Sequence, residues 1–406
     1  MIFGEVNADD QSRPSEGGGV SPAPEVSVVI PCLDEAETIG RCVEKALAGM
    51  ALGGVAGEVV VADNGSRDGS IALAEAAGAR VVSVGSPGYG SALMGGIEAS
   101  RGRFIVMGDA DDSYDFGETP RFVEKLLEGY ALVQGCRLPS GGGRVSSGAM
   151  PWAHRWIGNP MFSMLVRRWF GAPIHDVYCG LRGFTRELYD RLDLRCTGME
   201  FATEMVIKAS LRGESITEVP ITLHPDGRTS GRPHLRTLRD GWRTLRFFLM
   251  CSPRWLFLMP GLGLVLLGLV GYGIALPGLR IGGVGFDAHT LLFASLSILC
   301  GYQAVLFGLF AKTFATAEGF LPEDERLKGF FRRVNLERGL AAAGAVGVVG
   351  GGLLLAAVNQ WRLAEFGQLD YGRTMRLVIP GATLFAISFQ TVLSSFLMSM
   401  IGLSRR

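Results

Sequence analysis

The sequence predicts an α/β unit built on a mainly parallel sheet, followed by an all-α membrane domain of four helices. Three observations carry this. Short β-branched runs alternate with helix-length stretches from Val26 to Met107. Four stretches, 255–279, 288–311, 339–361 and 377–404, contain no charged residue, and each exceeds the roughly 20 residues needed to cross a hydrocarbon layer. Between the two halves lies a segment crowded with arginine. At 406 residues the chain is too long for one core, and its 39 basic and 39 acidic side chains balance, so net charge selects no class of partner. The seven cysteines lack CxxC or metal spacing and read as free thiols of a reducing compartment. Residues 1–24 are polar, without an apolar core, and read as a disordered tail rather than a secretory signal.

Taken in order, Val26 to Ile30 is a buried strand ending at Pro31, and a helix is expected from Glu37 to Met50. A second strand, Glu58 to Ala62, runs into the polar stretch Asp63 to Ser70. Helix 70–77, strand 80–84, a glycine loop, helix 91–100 and strand Phe104 to Met107 follow. This alternation implies helices on both faces of the sheet and ligands beyond the carboxyl ends of its strands. Asp34, Asp63, Asp109 and Asp111 all fall at those ends. Residues two apart in an extended segment point the same way, so Asp109 and Asp111 offer two hard oxygen ligands on one side. That pair suits a divalent cation also held by substrate phosphates. The loop Gly85-Ser86-Pro87-Gly88-Tyr89-Gly90 lacks the Gly-Lys-Ser/Thr ending of a P-loop, and the first strand does not lead into GxGxxG. A P-loop nucleotidase and a dinucleotide dehydrogenase are thereby disfavoured. The loop reads equally as a turn needing positive φ or as a place of close ligand approach.

Residues 138–151, rich in Gly, Ser and Pro, are expected to form a mobile lid. His154, Arg155 and Asn159 open the next helix, and Arg137 and Arg155 suit a phosphate held by charge-assisted hydrogen bonds. Glu200 and Glu204, spaced i, i+4, share one helix face and read as structural. Ile216 to Leu223 is the last strand, followed by a basic, flexible stretch from His224 to Arg232. Over 231–254, Leu235, Leu238, Trp242, Leu245 and Leu249 form a stripe edged by Arg236, Arg239, Arg243 and Arg246, the pattern of a helix lying in the membrane interface. The units are thus a tail (1–24), the α/β unit (25–230), the interfacial helix (231–254) and the membrane domain (255–406). Lys and Arg favour the approach to the first span and the loop 312–338, which places the α/β unit, that loop and the C-terminus on the cytoplasmic face of an inner or plasma membrane.

Several of these motifs occur together in one family. Ser27-Val28-Val29-Ile30-Pro31-Cys32-Leu33-Asp34-Glu35, then Asp63-Asn64-Gly65-Ser66-Arg67-Asp68-Gly69-Ser70, then Asp109-Ala110-Asp111, resemble glycosyltransferase family 2, whose nucleotide-sugar-binding fold is the Rossmann-like GT-A fold. Gly135-Cys136-Arg137 and Cys179-Gly180-Leu181-Arg182-Gly183-Phe184 look like later motifs of its dolichyl- or polyprenyl-phosphate sugar synthase branch, and the four spans resemble those of its membrane-bound members. The resemblance implies that Pro31, Leu33, Glu35, Asp63, Asp109 and Ala110 surround the nucleotide sugar. It implies a Mg²⁺ or Mn²⁺ ion on Asp111 and Asp109 near Ser113, with Asp111, Asp109 and Arg137 as the catalytic set. It places the acceptor phosphate of a polyprenyl lipid near Arg137, Arg155, Arg228 and Arg232. Asn64 stands where many relatives carry a second Asp, and Ser113 where dolichyl-phosphate mannose synthases have Gln, so the coordination and the sugar stay open. The expected partners are a nucleotide sugar, the lipid phosphate and the membrane, with no nucleic acid; a homo-oligomer is admitted.

The expected reaction is inverting transfer of a hexose, from UDP-glucose or GDP-mannose, onto the lipid phosphate to make a donor for envelope glycan or glycoprotein. Two other readings compete. A processive polysaccharide synthase needs Gln-x-x-Arg-Trp after the core, but Arg254-Trp255 has Cys251 at the Gln position. A flippase or transport partner with a degenerate domain is opposed by the intact Asp-x-Asp and Asp63.

Overall fold

A computed structural model describes residues 24–229, 237–318, 321, 325, 329–330 and 335–403. The α/β unit is organised by a seven-stranded sheet whose spatial order begins at β3 (Arg80–Ser83) and passes through β2 (Gly57–Asp63), β1 (Val26–Cys32) and β4 (Phe104–Met107). It continues through β7 (Arg182–Thr185) and β5 (Leu132–Cys136) to β8 (Ile216–Pro220). The first four strands are mutually parallel, with Val28 opposite both Val59 and Val106. Strand β7 runs antiparallel to both neighbours, so the expected mainly parallel sheet holds with one reversed strand. Neither β5 nor β7 was legible as a strand: each is four or five residues long and carries Gly with Gln134 or Arg182 where apolar alternation would announce it.

Central strands buried on both faces explain the unbroken apolar runs of β1 and β4. One layer, with α1 (Ile39–Leu52), α2 (Ser70–Ala76) and α4 (Thr119–Leu127), buries Val28, Ile30, Val61 and Val106. The other, with α3 (Tyr89–Ala99), α5 (Asn159–Phe170), α6 (Arg186–Leu192) and α7 (Glu200–Leu211), buries Val29, Val60, Ile105 and Met107. The predicted strand Ile216 to Leu223 is broken in two. Pro220 ends β8, and Thr222–Leu223 (β9) leaves to pair with Arg144–Val145 (β6). The stretch expected as a lid is therefore pinned at its centre, with Arg144 N donating to Ile221 O and Ser146 N to Leu223 O.

Helix α8 (Thr237–Cys251) packs on the α/β unit rather than standing apart from it. Phe248 is fully buried, edge-on to Phe162 and Phe170 of α5, and Arg243 pairs with Glu200. Phe248 lies off the expected stripe, so the buried face of this helix is rotated from the one its leucines advertise. Of that stripe Trp242 stays exposed and Leu245 joins the core, while Arg236 and the side chain of Arg239 lie outside the described residues.

Among the described residues, four helices are long and apolar enough to cross a membrane: Arg254–Ala275, Ala288–Ala317, Leu336–Leu363 and Tyr371–Ile401. They are α9 (Met259–Ala275, entered through a π-turn at Arg254–Leu258), α10 (Ala288–Ala317), α11 (Leu336–Leu363) and α12 (Tyr371–Leu403). They run into charged residues at one or both ends of the uncharged stretches, but the first, expected to reach 279, ends at Ala275. Close approach of small residues packs them: a Cβ on Gly301 would lie 2.6 Å from Gly261 O, and one on Gly350 2.9 Å from Gly381 O.

Candidate active site

The carboxyl ends of β1, β2 and β4 open side by side, and their loops are laced together by short polar side chains. Asp34, in the left-handed region at φ 57, accepts from Arg67 N at 2.8 Å, while Asp34 N donates to Ser66 Oγ at 3.0 Å. Glu35 N donates to Ser70 Oγ at 2.8 Å and Ala36 N to Asp68 Oδ2 at 2.9 Å. The Asp63 carboxylate is turned onto its own loop and accepts from Gly65 N and Ser66 N at 2.9 and 3.1 Å. Pro31 and Ala110 are buried in the sheet and under α1, whereas Leu33 is 51% exposed and offers an apolar shelf at the strand end.

Asn64 binds the glycine loop. Its amide donates to Val84 O and Ser86 O at 2.9 and 2.8 Å, and its Oδ1 accepts from Gly88 N at 2.7 Å. Gly88 is required twice over, at φ 131 and with Thr197 O only 2.4 Å from where a Cβ would sit. Gly90 likewise faces Cys196 O at 2.3 Å. The loop is a packing turn whose following residue carries chemistry: Tyr89 hydroxyl donates to Asp109 Oδ1 at 2.8 Å.

Asp109 and Asp111 occupy the turn after β4. Asp111 Oδ1 accepts from Ser113 N and Oγ at 3.0 and 2.6 Å. Ser113 therefore fixes the orientation of the carboxylate. Burial and the neighbouring Asp111 charge push Asp109 up to about 6. Asp115 serves elsewhere, capping the next helical turn through Gly117 N at 2.9 Å. Residues 224–229, expected to be flexible, cross directly over the turn. His224 N donates to Ser113 O at 2.9 Å and Gly227 N to Asp111 O at 2.8 Å. They deliver the Arg228 guanidinium to Glu35 at 3.0 Å, to Asp226, and to 3.9 Å from Asp111 Oδ2. Burial raises the Glu35 carboxyl and Arg228 opposes that rise. Arg228 thus lies among the strand-end carboxylates, and Arg232 lies outside the described residues.

Behind Asp109 lies a charged network that the sequence did not disclose. Arg137 grips Asp176 through Nε and Nη2 at 2.7 and 2.8 Å and touches the Tyr114 hydroxyl through Nη1 at 3.2 Å. That hydroxyl accepts from Gly180 N at 2.9 Å, and a Cβ on Gly180 would lie 2.6 Å from Asp109 Oδ2. Tyr114 lies three residues beyond the Asp-x-Asp in sequence; Asp176 carried no local signal. Arg155 stacks on Trp156 at 5.2 Å, and its buried Nε has no hydrogen-bond partner among the described residues. Glu204 accepts from Arg195 N and Cys196 N and pairs with Lys208, the structural role expected of it.

Asp109, Asp111, Glu35 and Asp63 gather at the strand ends of a Rossmann-like, mainly parallel sheet, the architecture of a GT-A glycosyltransferase. The chain belongs to glycosyltransferase family 2. The model of that family matches residues 27–193, and that of the family 2 C-terminal transmembrane region matches residues 309–402. It is 36% identical over 389 residues, 94% of this chain and 90% of the other, to the low-salt glycan biosynthesis hexosyltransferase Agl6 of Haloferax volcanii. It is 30% identical over 70% of its length, and 83% of the relative's, to an undecaprenyl-phosphate 4-deoxy-4-formamido-L-arabinose transferase of Pseudomonas aeruginosa. A dolichyl-phosphate hexose transferase of Haloferax volcanii is 34% identical over 40% of this chain and 68% of the relative. Among solved structures, glucosyl-3-phosphoglycerate synthase of Mycobacterium tuberculosis, in complex with Mn²⁺, UDP and its product, is similar over 56% of this chain and 79% of that one, at 26% identity and a TM-score of 0.44. The protein is a membrane glycosyltransferase.

Proposed function

We propose that this enzyme transfers a hexose from a nucleotide sugar to the phosphate of a polyprenyl lipid at the cytoplasmic membrane face. The observation that carries the reading is the junction between the strand-end site and the membrane. Trp169 at the end of α5 stacks on Trp255, where the first span begins, with ring centroids 5.6 Å apart, and Arg168 covers the same ring at 5.1 Å. This contact supports a site held close to the bilayer surface, where a lipid phosphate resides. Relatives named for dolichyl- and undecaprenyl-phosphate support the same acceptor class.

In this mechanism Leu33 lies under the base, and Pro31, Glu35, Asp63, Asp109 and Ala110 frame the nucleoside. Asp109 and Asp111, two oxygen donors whose mutual repulsion a cation would relieve, fit a Mg²⁺ or Mn²⁺ ion that offsets charge on the diphosphate, with Ser113 orienting Asp111. Arg228 adds a cation beside the same carboxylates. An oxygen of the lipid phosphate attacks the anomeric carbon from the face opposite the diphosphate. The bond from that carbon to the diphosphate oxygen breaks, its electron pair leaves with the nucleoside diphosphate, and the configuration inverts. No base is required, because the nucleophile is already ionised at neutral pH. Arg155, whose buried Nε lacks a partner among the described residues, is assigned the acceptor phosphate in this reading. Arg137 remains braced by Asp176, with N–H groups to spare.

The test is a donor screen with UDP-glucose, GDP-mannose and UDP-N-acetylglucosamine, using the purified protein, polyprenyl phosphate, Mn²⁺ and a radiolabelled sugar. Label entering the organic phase as a single glycolipid is the expected result. Label accumulating in a long water-soluble polymer, or in no product, overturns it.

A further inference from the structure

The Asp-x-Asp turn is held from outside by one face of α1. Asp112, immediately after Asp111, sits at φ 60, in the left-handed region where only Gly, Asn and Asp settle readily. Its carboxylate is 10% exposed, accepts from Lys45 Nζ at 2.7 Å and lies 3.8 Å from Arg41 Nη1. Arg41 and Lys45 are one helical turn apart, so both reach the same point. Between them, the Cys42 thiol donates to Ala110 O at 3.4 Å. Arg41 also ties in the crossing segment: its Nη2 donates to Gly227 O at 3.3 Å, and a Cβ on Gly227 would lie 3.1 Å from Asp112 Cβ. Helix α1, the acidic turn and residues 224–229 therefore meet on Asp112.

We infer that Asp112 is a positioning residue, which, clamped by Lys45 and Arg41, sets the aim of the Asp109 and Asp111 carboxylates without itself contacting the donor or its cation. The inference rests on the reading of Asp109 and Asp111 as cation ligands. Its physical content is that a left-handed residue reverses the chain within one step, and the ion pair with α1 fixes where that reversal points. Lys45 and Arg41 are then spent on the turn and not on a phosphate.

The experiment titrates Mn²⁺ alone into the full-length protein in nanodiscs, with unbound Mn²⁺ read by electron paramagnetic resonance. Thermal midpoints are measured in parallel. Asp112→Ala, which removes both the clamp and the tolerance for positive φ, should weaken Mn²⁺ binding about tenfold. Asp112→Asn, which keeps that tolerance, should recover part of the loss. Lys45→Met, at a half-exposed position and with Arg41 still facing the carboxylate, should weaken Mn²⁺ about threefold with a smaller loss of midpoint than Asp112→Ala. Unchanged affinity in Lys45→Met overturns the inference, and so does tighter binding, which would mean that Asp112 is itself a ligand released by losing Lys45. Asp111→Asn is the control. If wild type binds Mn²⁺ no better than Asp111→Asn, the cation reading fails and the inference falls with it, a result distinct from a wild type that binds while Lys45→Met is silent.

Discussion

Arg137 and Asp176 form a buried bidentate ion pair, with Asp176 also accepting from the backbone N of Arg137 at 3.0 Å. Asp176 is fully buried, so neither charge can fall back on solvent. Removing one member leaves the other uncompensated, which costs about 3–5 kcal/mol in buried pairs. Asp176→Ala should therefore lower the thermal midpoint sharply, and Asp176→Asn less, because the amide oxygen still accepts one guanidinium hydrogen. A midpoint shift in Asp176→Ala no larger than that of an exposed Asp, such as Asp190→Ala, would contradict the pairing.

Asn64 explains its own departure from the family pattern. Its amide nitrogen serves two carbonyls, Val84 O and Ser86 O, which an aspartate cannot do. Asn64→Asp would set a carboxylate oxygen against those carbonyls, losing roughly 0.5–1.5 kcal/mol for each of the two half-exposed hydrogen bonds. The expected outcome is a lower thermal midpoint together with weaker Asp109 function, since Tyr89 follows the same loop. Asn64→Asp with wild-type stability and turnover would show that the loop is held by other means.

Asp109 supplies a pH dependence. Burial and Asp111 push its carboxyl up to about 6, above the ordinary value of 3.8. Between these values the folded protein keeps a proton that the unfolded chain has released. The corresponding stability is full below about pH 4 and lost as pH rises through about 6, a swing on the order of 2–3 kcal/mol. In EDTA, the wild-type midpoint should fall across this window, and Asp109→Asn should flatten the curve and raise the midpoint at pH 7. Added Mn²⁺ should then stabilise wild type and leave Asp109→Asn unmoved. Parallel pH curves for the two proteins would refute the assignment.

What was legible in the sequence follows from periodicity and from local chemistry. β1 and β4 announce themselves because both their faces are buried, and the spans because lipid tolerates no charge. The Asp-x-Asp at a strand end was legible for the same reason, since a buried strand must surface somewhere and its polar residues mark where. Asp176, Lys45 and Tyr89 were not legible: each meets its partner across at least 20 residues of chain, and nothing local distinguishes it from a surface residue. The rotation of α8 shows a different limit. Leucine and phenylalanine compete for the buried face of an amphipathic helix, and only the cavity offered by Phe162 and Phe170 decided for Phe248.

Besides α8, which still exposes Trp242 and Met250, a second segment carries apolar residues to the surface beside the first span. From residue 152 through the π-turn His154–Gly158 into α5, the chain exposes Trp152, Trp156, Ile157, Met161 and Met164, with Trp152 68% and Trp156 54% exposed, and Arg167 and Arg168 border them. A soluble surface rarely gathers such residues on one face, and this one adjoins Trp255 at the first span through Trp169. Tryptophan and methionine edged by arginine suit the headgroup boundary, with the rings in the acyl margin and the guanidinium groups on lipid phosphate. Full-length protein in nanodiscs should therefore show an environment-sensitive fluorophore on Trp156→Cys blue-shifted and quenched by brominated phospholipids. The same probe on Leu52→Cys, exposed at the end of α1, should remain in water. Trp156→Asp together with Met161→Asp should raise the apparent KM for polyprenyl phosphate several-fold while leaving donor affinity, measured by calorimetry, near wild type. Equal loss in both would mean that the face supports the fold of the site. An unquenched probe at position 156 would place this face in solvent and remove the membrane contact altogether.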